Sequence, residues 1–411
     1  MQDNKIVITG MGAITPVGLG VPAYWDALTH GVCGIAPITQ WDASALPVRI
    51  AAEVKNFDPL QYMPKTIART MSRLMQFSFA AAEEAWRNSA LPQTITQNPE
   101  RVGIVMATAM GSIQNIAETQ TTFIQGRRVE PRFAVKALGN MSAAQLAIAH
   151  HIQGCNLTVS TACSSGGDAI MTAAMLLCTG EADVIVVVGG ESILCPLTIA
   201  GLSRIHALSR PNDNPAYACR PFDKNRSGFV IGEGGGALIL ETERNARSRE
   251  APIQAVLSGW GNTSDAYHVT APRPDGSSAA ACMRRAIQRA GLRPEDIGYI
   301  NAHGTATLLG DVAETRAVQA VFGQNAPPIS STKSMTGHLM GAGGLTEIIA
   351  CIMALQTDVL PPTIHLETPD PDCPLDYIPN QARKVRINAA LSNALGFGGQ
   401  NSSILVTRYE K

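Results

Sequence analysis

An α/β protein built on parallel strands is what this sequence predicts, and three observations carry the prediction. Short β-branched runs alternate with longer Ala- and Met-rich stretches at helical spacing. Several strand-like runs end in Gly-rich turns. The chain has 411 residues, 45% hydrophobic and 16% charged, which is enough apolar material for a large core and too little charge for a disordered chain.

Taken from the N-terminus, strands are expected at residues 6–9, 103–107, 157–160, 184–189, 237–241, 299–302 and 403–407. A helix is expected over 68–88, where Met71, Leu74, Met75, Phe79, Ala82 and Trp86 recur at helical spacing and mark a core-facing stripe. The polar stretch 242–252 follows a strand and precedes a fresh apolar run at 253–257, which places a boundary between 1–251 and 252–411. Each part then reads as an α/β half.

Net charge is -1 and the isoelectric point is near 6.7, so no global field favours nucleic acid or an anionic membrane. The longest apolar stretches, such as 184–188, are strand-sized and not membrane-spanning. The first residues offer a short strand and no signal-peptide core, so a cytoplasmic location is expected. Nine cysteines without any Cys-x-x-Cys indicate neither a disulfide framework nor a zinc site.

Four motifs carry chemistry. In Thr158-Val-Ser-Thr-Ala-Cys163-Ser-Ser-Gly-Gly-Asp-Ala169 a strand meets small residues and a helical pattern begins just after the cysteine. A thiol at a helix N-terminus is expected to gain thiolate character, and small neighbours admit a substrate that a structural cysteine does not need. In Tyr299-Ile-Asn-Ala-His303-Gly-Thr-Ala-Thr307 a strand ends in histidine, placing an imidazole at the sheet edge where α/β proteins bind ligands. Alone, such a histidine is more often structural. Ser330-Ser-Thr-Lys333-Ser-Met-Thr-Gly-His338 sets a lysine and a histidine among small and apolar residues, as a lined pocket would and a solvated face would not. Leu395-Gly396-Phe397-Gly398-Gly399 surrounds one aromatic with glycines, which suits a swinging gate as well as a plain strand turn.

Together these motifs resemble the β-ketoacyl-acyl carrier protein synthases, closest to the elongating synthase II type, over essentially the whole chain from Val7-Ile-Thr-Gly-Met-Gly12 to Gly396-Phe-Gly-Gly399. The resemblance implies a thiolase-like, duplicated five-layer αβαβα fold in a dimer. It implies that Cys163 is the acylated nucleophile and that its N–H and that of Phe397 form an oxyanion hole flanked by Gly396 and Gly398. His303 and His338 would then donate hydrogen bonds to the malonyl thioester carbonyl as carbon dioxide leaves. Lys333 would pair with Glu347. Thr305, Thr307 and Thr270 would border the phosphopantetheine arm, and Met110 would stand where chain length is set. No metal or redox cofactor is implied, because the substrates ride on the arm of an acyl carrier protein. Lys65, Arg69, Arg127, Arg128, Arg132 and Arg204 match positions of the family's carrier-docking surface, although isolated basic residues are usually ordinary solvated side chains.

Two departures stand near the channel. Ala394-Leu395 precede the gate where Ser-Phe is common, and Leu308-Leu309 stand where a proline usually follows the Thr-x-Thr pair. They keep open a specialised polyketide or polyene ketosynthase working as a heterodimer with a chain-length partner. A degradative thiolase would need a second cysteine in the stretch 396–401, which has none. A cysteine protease would not need the Lys333 loop. A dinucleotide site fails because Thr15-Pro16 stand where the third glycine after Gly10 and Gly12 belongs.

Overall fold

Every residue of the first strand, β1 (Ile6–Thr15), is buried, as a strand covered by helices on both faces should be. It runs through the middle of the main sheet in a computed structural model that describes residues 5–410. The other long-sheet strands are β2 (Val102–Ala107), β3 (Asn156–Val159), β4 (Val184–Glu191), β5 (Gly234–Thr242), β6 (Ala255–Ser264), β7 (Tyr299–Asn301), β8 (Ile329–Ser330), β9 (Ala389–Gly396) and β10 (Gln400–Thr407). They lie in the order β8-β7-β9-β10-β6-β1-β5-β4-β2-β3, with the short strand Gly18–Leu19 folded back on β1.

This order divides at the β1–β6 seam into two sets with one wiring. In the first, β3, β2 and β4 are parallel, while β5 and β1 are antiparallel additions. In the second, β8, β7 and β9 are parallel, while β10 and β6 are antiparallel additions. The seam is antiparallel, with Ile6 opposite Leu257.

Helix α1 (Arg73–Asn88) covers β1, β4 and β5 from outside, and α3 (Ser277–Arg289), beside α4 (Leu308–Phe322), covers β6 and β10. Between the halves, α2 (Ser165–Cys178) packs on α5 (Gly343–Thr357), with α2 against β2 and β10 and α5 against β5 and β9. The result is the five-layer, thiolase-like αβαβα arrangement. The window Met340–Thr357, which includes α5, is the one helical stretch among the described residues long and apolar enough to cross a membrane, and 83% of it is buried inside the protein as a core helix. The expected boundary near residue 251 lies in the connection before β6, and one apolar cluster runs across it, from Ile8, Val187 and Leu240 to Tyr299, Ile348 and Ile404.

The duplication has a residue-level signature. A Cβ on Gly10 or Gly12 of β1 would stand 2.1 or 1.9 Å from the carbonyl oxygens of Ala85 and Ala81 in α1. A Cβ on Gly259 or Gly261 of β6 would stand 2.1 Å from those of Ala286 and Cys282 in α3. Both pairs exist so that an outer helix can lie directly on its strand.

The helix expected over 68–88 is broken. Lys65–Ala68 forms one turn, and α1 starts only after Ser72, whose backbone is extended and whose hydroxyl meets Ser112 Oγ at 2.9 Å. The interruption turns Met71 into the core. Strand β9 has the composition Ala-Ala-Leu-Ser-Asn-Ala-Leu-Gly, which no strand pattern betrays, and it forms because β7 and β10 pair with it on both sides.

Replacing Gly12 by valine forces α1 off β1. The variant is expected to lose about 3 kcal/mol of stability, read as a lowered urea midpoint with an unchanged slope.

Candidate active site

The nucleophile turn joins β3 to α2. Ala162 adopts φ of +53°, a left-handed conformation that an L-residue adopts only under constraint, and it sets Cys163 two residues ahead of the helix. The buried Asp168 carboxylate supplies the constraint. It accepts hydrogen bonds from Thr161 Oγ1 (2.6 Å) and Ser164 Oγ (2.9 Å) in the turn, and from Asn262 Nδ2 (2.7 Å) on β6 of the other half. Gly396 closes over the turn, for a Cβ there would lie 3.0 Å from Thr161 O and 3.4 Å from Cys163 N. That close approach brings the Phe397 backbone to the sulfur. Phe397 itself occupies the β9–β10 hairpin turn, where Gly398 and Gly399 take positive φ.

Burial pushes the Cys163 thiol up to about 11, while the Phe397 N–H and the Lys333 charge pull the other way. Desolvation thus opposes the thiolate character expected from a helix N-terminus.

His303 follows β7. Its backbone N–H and that of Gly304 donate to the two oxygens of Glu314 on α4, at 2.9 and 2.8 Å. His338 is held by an isolated bridge to Ile231, its N–H donating to the Val230 carbonyl at 2.8 Å. The Met340 N–H donates to His338 Nδ1 at 3.3 Å. A backbone N–H can only donate, so Nδ1 is the acceptor and the proton of the neutral ring sits on Nε2. The two rings meet edge to face with centroids 5.4 Å apart. Burial, reinforced by the Lys333 charge, holds both imidazoles well below their usual range. His303 Nδ1 and His338 Nε2 are buried without a hydrogen-bond partner among the described residues, a state that is costly for a polar atom. Behind them Lys333 Nζ is paired with Glu347, both side chains being almost wholly buried.

The sulfur of Cys163 and one ring nitrogen of each histidine lie within 4.8 Å of one another. They face a cavity of about 140 Å³ that is also lined by Met110, Thr270, Thr305, Thr307, Gly396 and Phe397. Such a Cys-His-His set has the composition of a metal site, but the proton on His338 Nε2 favours hydrogen-bond donation there over ligation. Lys333 and Glu347 stand behind the cavity. Gly398 is exposed at the hairpin tip, and Lys65, Arg69, Arg127, Arg128, Arg132 and Arg204 are all exposed outside the cavity. Arg204 alone adjoins a residue of its outer mouth, Ile205.

A thiol able to form a thioester, facing two imidazole donors in a dry pocket, is the set a decarboxylating condensation requires. The family models agree with this arrangement. Residues 3–246 match the beta-ketoacyl synthase N-terminal domain and residues 254–367 the beta-ketoacyl synthase C-terminal domain. The chain belongs to the β-ketoacyl synthase family. This ketosynthase is 41% identical to a 3-oxoacyl-[acyl-carrier-protein] synthase 2 of Synechocystis sp., covering 100% of this chain and 99% of the relative. Among solved structures it resembles the ishigamide ketosynthase/chain length factor, with a TM-score of 0.92, 32% identity and coverage of 99% of this chain and 100% of the other. It also resembles a type II PKS ketosynthase, bound to the hexaketide and in complex with its acyl-carrier protein, with a TM-score of 0.90, 31% identity and full coverage of both chains.

Sequence reasoning passed over Asp168, Glu191, Asp311 and Glu314, the buried carboxylates that hold the loops of the ketosynthase site. Burial pushes Asp311 and Glu191 up to about 7, against the backbone N–H groups that favour their charged forms. The available signal was acidic residues inside otherwise apolar or small-residue segments.

Lys333→Met strands the Glu347 charge in the core and is expected to cost about 3–5 kcal/mol in urea unfolding, most of it recovered when Glu347→Leu is added. Because the Cys163 thiol ionises late, its iodoacetamide reaction should rise about tenfold per unit between about pH 7 and 9.5. Levelling near the ordinary thiol range would contradict the burial argument.

Proposed function

We propose that this ketosynthase is a 3-oxoacyl-[acyl-carrier-protein] synthase that elongates acyl chains. The Cys163 sulfur attacks the acyl thioester, the carbon–sulfur bond to the carrier arm breaks, and the arm sulfur leaves with the thiol proton. The Cys163 and Phe397 N–H groups hold the oxyanion of that step. The malonyl unit then loses carbon dioxide, and the electron pair of the broken bond passes into an enolate whose oxygen accepts from ring N–H groups of His303 and His338. Neutral imidazoles suffice, since they donate and need not release a proton. The enolate carbon attacks the acyl-Cys163 carbonyl, the carbon–sulfur bond to Cys163 breaks, the released thiolate takes up a proton from solvent, and a 3-oxoacyl thioester departs. The observation that carries this reading is the meeting of the sulfur and both imidazoles within 4.8 Å at the base of one cavity.

The hydroxyls of Thr305 and Thr307, 3.2 Å apart, and Thr270 would guide the phosphopantetheine arm, and Met110 would face the acyl chain. No free metal or redox group has a step to perform. The carrier protein is acidic in this reading and meets the exposed basic side chains, Arg127 and Arg128 foremost. The halves 1–251 and 252–411 each supply part of the site, Cys163 from the first and His303, Lys333 and His338 from the second. A second condensing-type subunit suits the open edge of β3, where residues 156–158 are exposed and Ile148 nearby is 76% exposed. A soluble, cytoplasmic dimer is the corresponding assembly.

A ketosynthase subunit of a type II polyketide or polyene system is the second reading. It is favoured by the likeness to a ketosynthase/chain length factor and to a type II PKS ketosynthase, and by the exposed Leu308 and Leu309 at the mouth of the cavity.

Intact-mass analysis after incubation with acyl carrier proteins of different chains should show an acyl adduct on the wild type and none on Cys163→Ala. His303→Ala and His338→Ala should still load, with condensation lowered about 10²–10³-fold each. Unsaturated polyene-like chains loading only with a partner subunit would select the second reading. Arg127→Glu with Arg128→Glu should raise the KM for carrier-bound substrate at low salt and leave it unchanged for a small thioester.

A further inference from the structure

Glu191 ends β4 with its side chain fully buried, and four donors converge on it. Oε2 accepts from Ala109 N (2.6 Å) and Gly341 N (3.2 Å), and Oε1 from Met110 N and Thr108 Oγ1, both at 3.2 Å. The two segments so joined are far apart in sequence and adjacent at the cavity. One is the end of β2 running on to Met110, and the other is the turn after His338 that contains Met340. Ala109, Met110, His338 and Met340 all line the cavity. The segments touch so closely that a Cβ on Gly341 would lie 2.5 Å from Ala109 N and 2.8 Å from Glu191 Oε2. Met340, whose N–H sets the His338 tautomer, is itself held at a φ of +48°.

We infer that Glu191 is a positioning residue that makes the Met110 wall and the His338 turn one rigid piece, so that the acyl chain seated against Met110 governs how well His338 supports decarboxylation. This rests on the condensing reading above. The acyl chain is seated against Met110 once Cys163 is loaded and His338 acts only in the decarboxylation that follows, so the coupling acts on the second half-reaction and not on the first. A rigid joint is needed because four hydrogen bonds to one buried carboxylate leave neither segment free to shift alone.

Glutamine at this position must turn its NH₂ toward a donor. Placed at the Oε1 site it loses the Met110 N–H, while Thr108 Oγ1 can rotate to accept. Glu191→Gln should therefore loosen the wall at Met110 while keeping the Ala109 and Gly341 bonds at the Oε2 site. Gly341→Ala attacks the same joint from the other segment, its Cβ crowding Ala109 N as well as Glu191 Oε2.

The test measures Cys163 loading by intact mass and condensation by single turnover, for a series of acyl chains, on the intact protein. Wild type should condense at rates that depend on the chain. Glu191→Gln should load at the wild-type rate, condense about tenfold more slowly with its best chain, and discriminate less between chains. Gly341→Ala should show the same split. Loading and condensation falling together, with a lowered melting temperature, would make Glu191 merely structural and overturn the proposal. So would a Gly341→Ala protein with the wild-type chain profile, even if Glu191→Gln does not fold. A wild-type protein that never loads Cys163 would instead overturn the condensing reading itself, and the coupling with it.

Discussion

The hydrogen bond from the Met340 N–H to His338 Nδ1 decides which hydrogen the cavity presents. With Nδ1 occupied as an acceptor, the neutral ring must carry its proton on Nε2, and that nitrogen lies buried without a protein partner. The rest of the site is arranged so that this condition persists. Burial and the Lys333 charge oppose protonation of the ring, and Glu347 keeps the lysine charge compensated so that it can remain in the core. A protonated imidazole would be a stronger donor, but it would have to be made at the expense of desolvation in a pocket that already holds a buried ammonium.

The same dryness shapes the nucleophile. Burial opposes ionisation of the thiol, and the groups that favour it are brought there by the fold: the Phe397 N–H and the Lys333 charge. Buried carboxylates stabilise these loops in place of secondary structure. Asp168 secures the cysteine turn, Glu314 the His303 loop and Glu191 the His338 turn. Asp168 and Glu191 tie their loops across the two sheet halves, to Asn262 and to Gly341, while Glu314 holds the His303 loop within the second half, so neither half contains the site alone.

Much of this was legible in the sequence, for reasons that differ by element. The apolar runs of β1, β2, β4 and β5 stand out because strands buried on both faces are nearly continuous in Val, Ile and Leu. Cys163, His303, Lys333 and His338 stand out because small residues surround them where ordinary solvated or core positions would carry larger ones. Strand β9 was hidden by its small and polar residues, since its stability comes from two neighbours and not from its own composition. The interruption before Arg73 was hidden because Met71 keeps the helical stripe intact while leaving the helix. The burial of the thiol was not legible: helix position is readable from sequence, whereas the depth of burial that opposes ionisation depends on the whole fold. Gly10 and Gly12 are turned from a failed nucleotide motif into packing positions only by the outer helix lying on them.

The most direct measurement of the central claim is ¹⁵N–¹H NMR of His338, identified by comparison with His338→Gln, followed between about pH 5 and 8. The account predicts a neutral ring protonated at Nε2 that does not titrate over this range. A ring protonated at Nδ1, or one that charges with a midpoint near the ordinary histidine value, would contradict it.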